Sequence, residues 1–502
     1  MANTQQKTEP KDNLKWWVLI TVIIGTFLGR LDQTIVNLAL PKIILDFQIT
    51  ISAAGWIATA YILANAVFVP VWGKLGDTLG RKKIYMLGFS IFIIGSILAG
   101  LSWNLSSMIV FRVIQAIAAS ADYPTAMAIL AVTFKAGKER AQALGLWSAS
   151  FAAAVVFGPL IGGPLIDIFG WRSVFLVNIP IGITGMIMAI TFIKESKSED
   201  KNISFDWIGA VTLGVALSAL VLVLDQGMTW GWGSTYSLAC YGVMLIFGAV
   251  FYSVERNHKE PIVDFKFFKN GIFVGTLLNN FIVFMGMTGG IFLVPVFVQT
   301  FLGYTATQTG YLFIPMAVFL LLAAQIGGRL VGKVRYHRVI FISTLIASIG
   351  IYLFVFFIDP RASALAVIFP LSVMAFGIGF GMAQRTNAIA AIVPEREIGI
   401  ASSILALVRN IAGAFGIAIF ATILQNTTNS NLLKVAQNTA IYNLTPAIYQ
   451  KVVALVILKA QISAYVTVFA VSAIIVFIGA VISLFVKIKN EDVASKARVH
   501  AE

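Results

Sequence analysis

Apolar runs of about twenty residues recur between residues 15 and 486, separated by short polar segments. Nothing else in the sequence constrains the fold as strongly. A run of that length crosses the hydrocarbon core of a bilayer as a helix rising 1.5 Å per residue. In hydrocarbon each backbone N–H and C=O must be paired within the structure, so a chain of long apolar runs with no dyad alternation spans as helices. Fourteen runs satisfy this, near 15–40, 53–72, 84–102, 106–131, 142–166, 174–193, 207–224, 236–254, 272–296, 308–328, 339–358, 363–391, 399–424 and 461–486. The first is too long for a signal-peptide core and has no small-residue cleavage site, so it counts as a span. Composition agrees: 12% of residues are charged, against about 25% in soluble domains, and the mean hydropathy is +0.89.

Lys and Arg are unevenly divided between the two sides. With the N-terminus inside, inner segments hold 26 of the 36, outer segments 6, and the spans 4, namely Arg30, Arg112, Arg385 and Arg409. This bias predicts a multi-pass protein of the cell (inner or plasma) membrane with both termini cytoplasmic. The net charge of +14 sits in those loops and not on a basic face, so a nucleic-acid partner is not expected. A single cysteine, Cys240, excludes an internal disulfide, and His258, His337 and His500 fall in loops or the tail. No metal site or cofactor is expected. No Walker loop is present, so energy for any transport must come from an ion gradient.

An internal echo suggests how the spans are grouped. "KERAQALGLW" from Lys138 and "EREIGIASSI" from Glu395 are both inner acid–base turns opening small-residue-rich helices. The expected organisation is an N-tail (1–14), a six-helix bundle (15–193), a linker with two extra spans (194–271), a second six-helix bundle (272–486) and a C-tail (487–502). Repeated halves around a midplane site are a common plan among secondary transporters.

Several stretches carry more specific chemistry. "GKLGDTLGRKK" (Gly73 to Lys83) joins spans 2 and 3; its glycines permit a tight reversal, and Asp77 and Arg81 can pair or hold helix ends. Span 4 contains "RVIQAIAASADYP" (Arg112 to Pro124), and span 5 "GPLIGGPLID" (Gly158 to Asp167). Gly158, Gly162 and Gly163 offer a backbone surface for close packing, and Pro159 and Pro164 interrupt the helix ladder. The first stretch resembles the signature loop of the major facilitator superfamily, with Gly76 and Thr78 as departures. The second resembles that family's R-x-x-Q-G-x-G motif, with Ala116 and Ala118 in place of glycines and Asp122 where an apolar residue is usual. The third resembles the G-P-x-x-G-G motif of its antiporters. "LDQTIVNLALP", "WRSVFLVNIPIG", "EPIVDFKFF" and "VPEREIGIASSILALVRNIAG" extend the resemblance to the fourteen-span drug:H+ antiporter branch over most of the chain. The resemblance implies an all-α fold of two six-helix bundles plus a two-helix insert. It also implies a conformational latch at Gly73, Asp77, Gly80 and Arg81, proton coupling through Asp32 and Arg112, and sealing of the pathway by Gly158, Pro159, Gly162 and Gly163.

The in-span charges are the remaining clue, since ionisable groups in a membrane are costly and usually functional. By the rise per residue, Asp32 and Arg112 lie about 12 and 9 Å from the outer ends of their spans, similar enough depths for a pair. Arg30, about 200° from Asp32 around the helix, shares a different stripe with Thr34 and Asn37. Asp32 and Asp122 are the candidate proton carriers, Asp32 the principal one, with Asp225 near an outer edge. Arg112 would modulate Asp32, and Gln115 either joins that site or bonds helix to helix. Arg30, Thr34, Asn37, Gln115, Trp147, Arg385 and Arg409 form a candidate substrate path, with Trp56, Tyr61, Phe151 and Phe157 as possible cavity aromatics. The leading expectation is a proton-coupled exporter of lipophilic, cationic drugs or other small amphiphiles, working by alternating access. Four in-span arginines against two aspartates favour an alternative, an anionic or zwitterionic metabolite or lipid precursor. A transport-inactive receptor or scaffold is the reading from a different class. An enzyme is not expected, because no in-span nucleophile–base pair or metal cluster is visible. The partners expected are the small-molecule substrate, H+ and lipid; a monomer is the working expectation.

Overall fold

The computed structural model describes residues 12–134, 138–196, 206–258, 261–331, 333–393, 398–438 and 446–485. Both tails, much of the linker before span 7, the turn 394–397 that opens the second echo, and 439–445 lie outside the described residues. Within them the chain is helical, with no strand. The helices are α1 (Asp12–Phe47), α2 (Ile51–Leu79), α3 (Arg81–Gly100), α4 (Leu105–Ala119), α5 (Asp122–Thr133), α6 (Lys138–Phe169), α7 (Ser173–Leu176) and α8 (Asn178–Phe192) in the first part. Then follow α9 (Trp207–Trp230), α10 (Thr235–Asn257), a 3-10 turn Phe265–Lys269, α11 (Gly271–Phe301), α12 (Ala306–Arg329), α13 (Tyr336–Phe357), α14 (Ala364–Ile392), α15 (Ile398–Asn438) and α16 (Pro446–Ser483). Thirteen helical stretches are long and apolar enough to cross a membrane, and α6 adds the shorter apolar stretch Val156–Phe169.

Two spans are broken, each for a reason visible in the sequence. Span 4 divides into α4 and α5 because Pro124 has no N–H to return to the Ser120 carbonyl. Span 6 divides into α7 and α8 because Pro180 does the same to Leu176. Each break puts a polar side chain, Asp122 or Asn178, at the first position of the new helix. Further on, α15 is 41 residues long and α16 is 38, about 60 Å each and twice the hydrocarbon thickness. Within the described residues, the stretch between the last two spans continues the two helices as an antiparallel pair, tied where Asn431 Nδ2 donates to the Ala460 carbonyl at 3.3 Å.

Helix packing repeats between the first six spans and the last six. In the first half α1 packs on α6 and α8, and α4 on α2 and α3; in the second, α11 packs on α15 and α16, and α14 on α12 and α13. The halves meet through the equivalent pairs α6·α12 and α2·α15, and α9 is wedged against α2 and α15 with α10 outside it. We call the face where α1 begins the near face and the opposite one the far face.

Among the described residues, several hydrogen bonds join the halves toward the far face. Asp167, ending α6, accepts from Ala306 N at 3.1 Å and Thr307 N at 2.8 Å, holding the N-terminus of α12. Gln299 Nε2 of α11 donates to the Leu38 carbonyl of α1 at 2.9 Å. Glycines make the α6·α12 approach possible: a Cβ on Gly163 would fall on the Thr307 backbone, and one on Gly310 on the Pro159 carbonyl.

Candidate functional site: a central cavity between two buried polar clusters

A cavity of about 280 Å³ lies between the halves. On its α1 wall Arg30, Gln33, Thr34 and Asn37 present polar groups, and the first half's side also includes Arg112, Pro159 and the apolar side chains of α2 such as Ile62. The second half contributes Thr288 and an apolar wall that includes Met287, Met316 and Met374. Unbranched, polarizable methionines adapt to differently shaped ligands. The charged residues lining it are Arg30 and Arg112. Arg30 donates to Gln33 Oε1 at 3.3 Å. Thr34 donates to the carbonyls of Leu31 and Ala154, and a Cβ on Gly158 would strike its hydroxyl.

Asp32 points away from that wall into the first half and is fully buried. Arg112 Nη1 donates to its Oδ2 at 2.5 Å, while Gln115 Nε2 and Asn178 Nδ2 donate to its Oδ1 at 3.0 and 2.9 Å. Ser96 Oγ accepts from the same two amides at 2.7 and 3.3 Å. The Arg112 guanidinium lies over the Tyr61 ring, 4.1 Å from its centroid. Four spans thus converge on one carboxylate, and Arg112 stands between it and the cavity.

Asp122 and Trp147 form a separate cluster. Thr26 Oγ1 donates to Asp122 Oδ2 at 2.6 Å and accepts from Trp147 Nε1 at 2.8 Å. The other oxygen, Asp122 Oδ1, has no hydrogen-bond partner. A small cavity of about 30 Å³, lined by Asp122, Tyr85 and glycines of α1 and α3, adjoins it. Trp147, placed on the substrate path by sequence, belongs here instead of lining the central cavity.

In the second half Arg385 is buried with neutral partners. It donates from Nε to Asn279 Oδ1 at 2.8 Å and from Nη2 to Thr344 and Ser343 hydroxyls at 3.0 and 3.3 Å. Arg409 lies over the Phe284 ring at 5.2 Å from its centroid.

The loop between spans 2 and 3 turns at Gly80, whose φ of 120° is open to glycine and disfavoured for other residues. Its described contacts run to the end of α8: Lys82 N and Lys83 N donate to the two Glu195 oxygens at 3.0 and 3.2 Å, and Arg81 N donates to the Ser196 carbonyl. Glu195 therefore caps α3. The Asp77 and Phe151 side chains lie outside the described residues. Gly73 packs toward Pro124 in the same half.

Asp225 is more central than its position near the end of α9 suggests. It accepts from Ser52 Oγ and Trp56 Nε1 of α2, both at 2.6 Å, and from Thr422 Oγ1 of α15 at 3.1 Å. Its carboxylate joins the inserted span to both halves. Sequence reasoning missed this node, and also Asn178, Ser96, Asn279 and Glu195. Asn178 had one usable signal, its place two residues before Pro180.

Two six-helix halves of repeated packing, enclosing a cavity with a buried carboxylate cluster beside it, define a polytopic membrane transporter. The Major Facilitator Superfamily model matches residues 22–417, and the chain belongs to that family. It is 33% identical over 426 residues to the Bacillus subtilis "Multidrug transporter protein MdtP", covering 85% of this chain and 78% of that protein. It is 30% identical to the Mycobacterium tuberculosis "Multidrug resistance protein Stp", over 81% of this chain and 75% of that protein. It is also 31% identical to the Clostridioides difficile "Riboflavin transporter RibZ", over 83% of this chain and 90% of that protein. Among solved structures, a bacterial homologue of the human lysosomal transporter Spinster, inward-facing and unoccupied, shares the fold with a TM-score of 0.67 and 17% identity, covering 96% of this chain and 100% of that one. The chain is a transporter of this family and not an enzyme.

Proposed function

We propose that the protein is a proton-coupled antiporter that exports small amphiphiles by alternating access, with Asp32 as its principal proton carrier. The observation that carries this reading is the Asp32 cluster: a fully buried carboxylate whose arginine partner also lines the cavity. Protonating Asp32 removes the charge that holds Arg112, freeing the guanidinium toward the cavity; deprotonation draws it back. Proton and substrate then compete through one side chain. Asp122, with an unpartnered oxygen, is the second carboxylate in this reading. The far-face bonds of Asp167, Gln299 and Asp225 support a state closed on that side, with the Gly73–Arg81 loop serving the opposite side as the latch. The 6+2+6 division, cytoplasmic termini and a cell-membrane location complete the proposal.

A second reading of the substrate rests on a specific observation. The charged groups on the cavity wall are arginines, which favours a ligand bearing negative charge or a zwitterion over a drug cation. A relative named as a riboflavin transporter is compatible with cargo other than lipophilic cations.

Purified protein in liposomes with an imposed pH gradient and an internal pH dye tests both points. Lipophilic cations and amphiphilic anions are added singly to wild type and Asp32→Asn. One charge class should drive proton flux in wild type, and the substitution should abolish it. Undiminished coupling in Asp32→Asn would transfer the role to Asp122.

A further inference from the structure

Arg385 presents a problem that the reading above does not solve. Its side chain is 1% exposed, and no acidic group among the described residues acts on it. The cage is neutral: Asn279, which also donates to Thr344 and to the Gly479 carbonyl, and the hydroxyls of Ser343 and Thr344. Nη1 has no hydrogen-bond partner. A buried cation held only by neutral dipoles is costly, and buried charges are found paired. Guanidinium offers donors alone, so what completes the site must be an acceptor, and the uncompensated charge calls for an anion.

The direction of the open nitrogen follows from helix geometry. Ile378, Gly381 and Arg385, spaced three and four apart, share one face of α14. Ile378 lines the central cavity, and Arg385 lies two turns along, about 10 Å toward the near face. A Cβ on Gly381 would crowd Arg385 Nη1 at 2.8 Å and overlap the Ser343 hydroxyl. Nη1 therefore lies against the bare backbone of Gly381, one turn from the cavity-lining Ile378.

We propose that Arg385 is a monovalent anion site, taking one negatively charged group: a free halide, or the carboxylate of an amphiphile that enters from the cavity. The free-halide form stands independently of the export reading, whereas the amphiphile form rests on it. A single open nitrogen fits one charge. Arg112, with Asp32 already bonded to it, has no such need.

The test is thermal unfolding of the full chain in uncharged detergent, for wild type and Arg385→Met. One arm titrates sodium bromide; the other titrates dodecanoate against its methyl ester. Wild type should gain about 2–5 °C near saturation, and Arg385→Met should gain none from the same probe. A bromide response places a free halide at the site, and a response to dodecanoate but not the ester places an amphiphile headgroup there. An equal response in the variant, or none in wild type to either probe, overturns the proposal. If Arg385→Met is not monodisperse on size exclusion, bromide anomalous scattering and dodecanoate-soaked density from wild-type crystals decide: density at Nη1 in either upholds the site, and none in both overturns it. Neither readout requires transport, so a failure of the export reading, seen as unchanged proton flux in Asp32→Asn, is distinguishable from a failure here.

Discussion

The two halves of this transporter repeat their helix packing but not their electrostatics. In the first half, Asp32 and Arg112 neutralise each other, Arg112 bonding one carboxylate oxygen and the amides of Gln115 and Asn178, themselves held by Ser96, bonding the other. In the second, Arg385 is wrapped by an amide and two hydroxyls and keeps one nitrogen bare. Similar scaffolds thus hold a closed charge pair in one half and an open charge in the other. In the proposed cycle, symmetric packing would supply the rocking framework, and the asymmetric charges would give the halves different work: proton exchange in the first, anion capture in the second.

The largest effect should come from breaking the closed pair. Asp32→Ala leaves Arg112 buried and unpaired, which typically costs about 3–5 kcal/mol. Adding Arg112→Met should recover most of that loss, measured by unfolding midpoints in one detergent. Arg385→Met in anion-free buffer should cost far less, because there it removes an uncompensated charge instead of creating one. If the two single variants are equally damaged, the contrast between the halves fails.

Next is Asp225, where the halves meet through the inserted span. Asp225→Ala strips partners from Ser52, Trp56 and Thr422, and hydrogen bonds to a charged group contribute about 1.5–3 kcal/mol each. A loss of about 3 kcal/mol is expected, since the hydroxyls can turn to other acceptors while Trp56 cannot. Cysteines placed at Gly55 and Ala421, on facing surfaces of α2 and α15, should react faster with a membrane-impermeant thiol reagent in the variant. Unchanged labelling would mean that α9 is a passenger and not a tie between halves.

Gly163→Ala comes third. Its added Cβ would overlap the Thr307 backbone, which cannot swing aside as a side chain can. Overpacking of this kind costs about 1–3 kcal/mol. Because the seam is between halves, the loss should accompany increased far-face labelling at Thr305→Cys, whereas Gly158→Ala meets the Thr34 side chain and should act mainly within the first half.

What could be read from sequence follows a physical division. Apolar run length is a strong signal because hydrocarbon tolerates few backbone solutions: the fourteen runs fall on helices, thirteen of them containing stretches long and apolar enough to cross and the other the shorter Val156–Phe169 of α6. Asp32 and Arg112 were legible because a charge in a span stands out, and similar depth suggested their pairing. Asn178, Ser96 and Asn279 were not, since a lone amide or hydroxyl in a helix is ordinary and its partner lies on another helix. The breaks that bring Asp122 and Asn178 to helix starts were implicit in Pro124 and Pro180, yet hydropathy reads through them. Asp225 was misjudged as peripheral because distance from a span end says nothing about which helices cover it.

The smallest effect tests whether the near-face loop is as independent of the far face as its contacts suggest. Glu195 caps α3 by accepting from Lys82 N and Lys83 N, and a negative charge at a helix N-terminus contributes about 0.3–1 kcal/mol when exposed. Glu195→Gln keeps an acceptor but removes the charge, so the unfolding midpoint should fall by no more than about that amount. Hydrogen exchange should locate the change: amides at 81–84 should exchange faster, while those of α12 beside Asp167 should not. Acceleration at both places would mean that the two faces are energetically linked through the first half. The Glu195 cap would then belong to the device that alternates access, and would no longer count as a local helix end.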